Sequence, residues 1–203
     1  MIKLYDFPIS GHAHKVRLML SLLGLDYERH EVALGQGEQN SDEFLALNPF
    51  HHVPVLEDKG HVIRDSNAII AYLARQYGPH WYPSDALSVA HIQEWLAIST
   101  KELVEGPGAA RLVNVFNAGL DHKVAITNSH DLLTVLNGHL AERQWVATEQ
   151  ASIADIALYT YIAHAPEGGV SLASYPNVQS WLTRIEGLPG YVGMAKTEVG
   201  LLA

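Results

Sequence analysis

Three short stretches hold the side chains best placed to do chemistry. In the first, Pro8-Ile9-Ser10-Gly11-His12-Ala13-His14, a hydroxyl lies between a short apolar run and an amphipathic segment. The opening turn of a helix leaves N–H groups unpaired and carries roughly half a positive charge, which favours an anion. A thiol carried in by a ligand would ionise more readily there than at its ordinary pKa of roughly 8.5. Ser10 would then hydrogen-bond the thiolate. Turn chemistry alone also accounts for a serine at this point.

The second stretch is Asp65-Ser66 before Ala68, Ile69 and Ile70. Ser66 reads as the N-cap of a helix, whose free N–H groups suit a carboxylate, and Asp65 beside it suits an ammonium. Together they fit an α-amino acid headgroup, although an ordinary capped helix has the same pattern. The third stretch is His51-His52-Val53-Pro54-Val55-Leu56. Proline cannot donate to a sheet, so Pro54 at the start of a strand is either a trans residue at an edge or a cis residue. The cis form leaves the backbone N–H and C=O of Val53 free to pair with an extended ligand.

Elements that position these stretches follow from periodicity. Ile2–Tyr5 reads as a strand. Val16, Met19, Leu20 and Leu23 recur at i, i+3, i+4 and i+7, the stripe of a helix that Gly24 ends. Tyr27–Leu34 reads as a strand, and Ser41 opens a short helix that stops before Asn48-Pro49. Val53–Leu56 and His61–Ile63 form a hairpin around Glu57-Asp58-Lys59-Gly60. A helix carrying Ile69, Tyr72 and Leu73 ends at Gly78-Pro79. The order is βαβαββα over residues 1–79. His80–Asp85 reads as a linker. From 86 to 203 the pattern is all-helical, with helices expected over Leu87–Leu103, Asp131–Leu140, Ile153–Ala163 and Val178–Ile185. Ser152-x-x-Asp155 opens the third of these as a capping box.

Composition removes whole classes of function. The chain has 203 residues, is 48% hydrophobic and 17% charged, and contains no cysteine. That eliminates disulfides, thiolate zinc sites and cysteine nucleophiles. Its formal charge is −9, against nucleic acid as a partner. No apolar run is long enough to span a membrane, and the N-terminus lacks a signal-peptide pattern, so a cytoplasmic protein is expected. The twelve histidines raise a metal question. His12-x-His14 and His51-His52 lack helpful carboxylates and thiolates, so no metal is expected.

Taken together, the three stretches resemble the glutathione transferase superfamily, and the likeness runs along nearly the whole chain. NPFHHVPVLEDKG resembles the family segment with a cis proline, RDSNAIIAYL the segment that holds the γ-glutamyl end of glutathione, and SIADIALYTYIAH the capping box of the helical domain. The resemblance implies a thioredoxin-like α/β N-terminal domain and an all-α C-terminal domain. It implies a transferase that needs no cofactor, takes glutathione as co-substrate and passes it to a hydrophobic electrophile, in the bacterial, serine-type branch. It further implies a homodimer working in detoxification. A scaffold of the same fold, used only for binding, is the alternative; a complete peptide site speaks against it.

Carried over residue by residue, the resemblance gives Ser10 the thiol and Val53, before Pro54, the cysteinyl backbone. Asp65 and Ser66 take the γ-glutamyl end, and His52 and Gln39 the glycyl end. Many bacterial relatives have Asn or Pro near position 12, so His12 is a departure and a candidate proton acceptor or donor. His14 is expected in packing or on the helix surface. Tyr5 ends the first strand, away from the Ser10 position, which disfavours a tyrosine-type mechanism. The electrophile pocket is expected from Trp95, Arg111 and Phe116. Arg111 follows a Gly-Pro-Gly break and is either solvated or a cation facing glutathione or an anionic co-substrate.

Overall fold

The structure is a computed structural model that describes residues Met1–Thr197. Contacts divide the described residues into two units, one of Met1–Pro79 with Pro189–Ala195, the other of His80–Leu188 with Lys196 and Thr197. The helical part expected to run to residue 203 therefore gives up Pro189–Ala195, and its last six positions lie outside the described residues. That short segment is tied to the first helix, where the Ser21 hydroxyl donates to Gly190 O at 2.6 Å and the His14 ring meets Val192 O at 2.9 Å.

The first unit holds β1 (Ile2–Asp6), α1 (Gly11–Leu22), β2 (Tyr27–Glu31), α2 (Asp42–Leu47), β3 (Val55–Asp58), β4 (His61–Arg64) and α3 (Ser66–Tyr77). The sheet order is β2-β1-β3-β4. Strand β2 is parallel to β1, as a helical crossover through α1 requires. The β1–β3 and β3–β4 pairs are antiparallel. Residues Ile2, Leu4 and Asp6 alternate inward along β1, and the stripes Val16, Met19, Leu20 of α1 and Ile69, Ile70, Leu73 of α3 are fully buried. Each such aliphatic side chain contributes about 1.5–3 kcal/mol of burial. Strand β2 stops at Glu31 rather than Leu34, because Leu34–Gln36 turns into a short 3₁₀ helix ending at Gly37, φ +80°.

The second unit holds α4 (Ala86–Thr100), α5 (Ala109–Phe116), α6 (His122–His139), α7 (Ile153–Ala163) and α8 (Pro176–Glu186). Among its described residues there is no strand. The expected linker is packed: Trp81 and Tyr82 are buried, and Asp85 caps α4 by accepting from Ser88 N at 2.9 Å. Helix α4 stops at Thr100, short of Leu103, and a kinked stretch Val104–Gly108 containing Pro107 follows. Gly106 packs closely there, since a Cβ would lie 3.0 Å from Ser129 N of α6. Helix α6 begins nine residues before the expected Asp131, capped by Asp121. Its early core-facing positions are Ala125 and Ser129, too small or polar to register as an apolar stripe. The capping box of α7 is present, with Asp155 Oδ2 accepting from Ser152 N at 2.9 Å.

Candidate active site

Sheet topology alone brings the three stretches to one end of the first unit. Strand β4 is antiparallel to β3, and β3 to β1, with Tyr5 opposite Val55 and Val55 opposite Arg64. The chain therefore leaves β1 towards Ser10, enters β3 from Val53–Pro54 and leaves β4 towards Asp65 on the same side.

Ser10 is the N-cap of α1, extended at φ −76°, ψ 119°, and its Oγ accepts from Ala13 N at 3.2 Å. A hydroxyl that accepts one bond still has its proton to donate. The loop before it is held from behind. Arg17, two turns further along α1, pairs with the buried carboxylate of Asp6 and donates to Phe7 O at 3.3 Å and Pro8 O at 2.8 Å. Arg29 pairs with the same carboxylate. Tyr5 turns away: its hydroxyl donates to Glu57 at 2.7 Å, and burial, then that bond, raises its pKa.

His12 lies in the first turn of α1, its Nδ1 3.3 Å from Ser66 Oγ. Burial, then the charges of Lys15 and His52, push it down to about 3. It is a neutral imidazole at physiological pH. His12 and His14 diverge, one to Ser66 and the other to Val192.

Asp65, not Ser66, is the N-cap of α3; Ser66 is its first helical residue. The one-residue shift comes from the backbone, since Asp65 has φ +71°, a region costing a non-glycine residue on the order of 1–3 kcal/mol. Its Oδ1 accepts from Asn67 N at 2.9 Å and Ala68 N at 3.0 Å. Ser66 is 4% exposed. Beneath them lies a residue that the sequence reading missed: Lys15 is fully buried, with Nζ 3.5 Å from Asn67 Oδ1.

The Val53–Pro54 bond is cis. The loop before it is closed by Asn48, whose Nδ2 donates to His52 O at 2.7 Å and whose Oδ1 accepts from Phe50 N at 3.1 Å. His52 is exposed. Gln39 sits in the 3₁₀ turn Glu38–Asn40, which the Asn40–His51 contact of 2.8 Å joins to this loop. Gln39 Oε1 is buried without a hydrogen-bond partner, an uncommon state for an amide.

Comparison with known proteins supplies the family. The glutathione S-transferase N-terminal domain family matches residues 4–81, and the C-terminal domain family matches 121–189. Glutathione S-transferase 3 of Zea mays is 31% identical over 94% of this chain and 91% of its own. The chain belongs to the glutathione S-transferase family. Two solved structures carry the likeness to the whole fold. The glutathione S-transferase of Pseudomonas fluorescens superposes with a TM-score of 0.90 at 32% identity, covering 96% of this chain and 99% of that one. A structure described as a possible glutathione S-transferase from Rhodopseudomonas palustris gives 0.88 at 33% identity, covering 97% and 98%.

The residues expected to form this transferase's electrophile pocket lie on α4 and α5 of the helical unit. Trp95 is 6% exposed on α4, with its ring edge-on to His139 at 4.9 Å. Arg111 is not solvated. It is 2% exposed on α5, its Nε donates to Glu167 Oε2 at 2.5 Å, and its guanidinium lies 5.7 Å from the ring of half-buried Phe116. Glu167 also accepts from Thr197 N at 2.9 Å and contacts the His164 ring at 2.8 Å. Its charge is spent inside the helical unit. Among the described residues no group of three or more His, Asp or Glu could hold a metal, and no helix is long and apolar enough to cross a membrane.

Proposed function

We propose that this transferase binds glutathione at the Ser10–Val53–Asp65 end of the sheet and ionises its thiol there, in the manner of the serine-type branch. The observation that carries this reading is the Ser10 cap, a hydroxyl with a proton to give, standing at the open N–H end of α1. Glutathione enters as co-substrate, with no other cofactor. Val53 pairs its backbone with the cysteinyl unit, Asp65 takes the ammonium, and Ser66 with the first N–H groups of α3 takes the γ-glutamyl carboxylate. His52 and Gln39 serve the glycyl carboxylate.

The chemistry is electrostatic. The helix end and the Ser10 O–H stabilise the thiolate, and its proton leaves to solvent. His12 does not keep that proton, because an imidazolium with a pKa of about 3 is far more acidic than a thiol at roughly 8.5. As a neutral ring donating from Nδ1 to Ser66 Oγ, it leaves the serine proton free for the carboxylate. The sulfur lone pair then forms an S–C bond with an electrophilic carbon, and the displaced electron pair passes to the leaving group or the activated acceptor.

Trp95 and Phe116 stay as candidate apolar contacts for a hydrophobic electrophile; Arg111 does not. Further parts of the proposal are a two-fold homodimer, the commonest oligomer, a cytoplasmic setting and a role in detoxification. Calorimetry with glutathione and turnover of a general electrophile test the enzyme. Binding with turnover is the expected result; absence of both leaves only a scaffold.

A further inference from the structure

A wholly buried ammonium lies next to the head of α3, where an apolar side chain would fill the space without desolvating a charge. Lys15 stands three residues after His12 on α1, with no exposed surface. Its Nζ meets Asn67 Oδ1, in the second residue of α3, at 3.5 Å. Its charge is felt by His12 and is drawn by Asp65. Asp65 is exposed, and its Oδ1 is already engaged by two N–H groups. A buried cation and the positive end of a helix thus converge on one spot, beside the exposed carboxylate of Asp65.

We propose that Lys15 is a positioning residue of the glutathione site: held against Asn67, its ammonium makes the head of α3 selective for the γ-glutamyl α-carboxylate without touching it. This rests on the glutathione reading above. An arriving carboxylate adds a negative charge beside the ammonium, so ligand binding offsets part of the penalty of burying the lysine. The chain as a whole, at −9, does not attract an anionic tripeptide; a local cation in low dielectric does.

The lysine also signals its own protonation. Burial, against the pull of Asp65, pushes it down to about 8. The groups that face it include His12 on its own helix and Asp65 with Asn67 at the head of α3; His52 is coupled to His12 from the loop before β3. Between about 8 and the ordinary 10.5 the unfolded chain holds more of this proton, so stability rises with pH there, and below that window the burial penalty is in full force. Removing the charge therefore leaves the ligand-free protein no less stable at pH 7, the opposite of removing a structural ion.

The test compares wild type with Lys15→Met by calorimetry. The ligands are S-methylglutathione, which has no thiol proton, and its analogue lacking the γ-glutamyl α-carboxylate. The expected result is a dissociation constant for S-methylglutathione raised about tenfold or more in the variant. The two proteins should bind the analogue within about twofold of each other, and KM for glutathione should rise more than kcat falls. The melting temperature without ligand should hold or rise. Equal affinities for S-methylglutathione, or equal losses for both ligands, overturn the proposal. Should the variant not fold, wild-type proton uptake near pH 8.5, measured in two buffers of different ionisation enthalpy, decides. Uptake larger with S-methylglutathione than with the analogue supports it, and equal uptake overturns it. If wild type binds neither ligand, the glutathione reading itself has failed.

Discussion

The Ser66 hydroxyl and the His12 ring meet at 3.3 Å, so the opening turns of α1 and α3 are joined side chain to side chain. In the proposed site, the thiol end and the γ-glutamyl end therefore share one contact. His12 is too weak a base to titrate in the neutral range, having been pushed down to about 3 by burial first. Replacing it with alanine should raise KM for glutathione about three- to tenfold, the size of one hydrogen bond. The pH profile of kcat should keep its shape between about pH 5 and 8, where an ordinary histidine titrates. Steady-state kinetics across pH checks this. A collapse of kcat with KM unchanged would make His12 an acid–base group instead.

Arg111 and Glu167 form a buried pair in the helical unit. Arg111→Met should cost about 3–5 kcal/mol in urea unfolding, because it strands a buried carboxylate. It should leave the thiol pKa of bound glutathione where it was. A folded, stable variant with an altered thiol pKa would return Arg111 to the site.

Glu167 also sets an acid limit. Burial pushes its carboxyl up, but the bonds from His164, Thr197 N and Arg111 outweigh it and hold the group at about 2, against an ordinary 4.5. A lowered carboxyl pKa contributes stability that is complete above 4.5 and lost as pH falls towards 2. His164, held below its ordinary value chiefly by burial, acts in the same direction. Denaturant midpoints followed from neutral to acid pH should fall steeply in wild type. In Glu167→Gln they should start lower and fall less.

Asp155 joins three parts of the helical unit. Its carboxylate accepts from Ser152 N at 2.9 Å, Val146 N at 3.0 Å and the indole of Trp181 at 2.9 Å. Asp155→Ala removes a helix cap and leaves buried donors unpaired, a loss of roughly 2–4 kcal/mol. Thermal or urea unfolding measures it; a change within about half a kcal/mol would mean that the network relaxes freely.

Much of this was legible in the chain. The βαβαββα order followed from apolar alternation and from punctuation by Gly24, Asn48-Pro49 and Gly78-Pro79, because local propensity and global fold agree there. The capping box at Ser152 could be read for the same reason: both partners lie within one turn. What escaped depends on distant or conformational facts. Asp65 rather than Ser66 caps α3 because of a positive φ, which residue type does not reveal. The partner of Arg111 lies 56 positions away, so spacing could not show that its charge was neutralised. Lys15 follows no motif in the chain, and only the packing of α1 on α3 buries it.

Ser10 carries the central claim, and the ultraviolet absorbance of the thiolate, followed against pH with glutathione bound, tests it most directly. In wild type the midpoint should lie about one unit or more below the free-thiol value near 8.5. In Ser10→Ala it should move up by about one to two units, the equivalent of a hydrogen bond to a charged acceptor, while glutathione affinity stays within about twofold. Superimposable titrations of the two proteins, both with glutathione bound, would contradict the account.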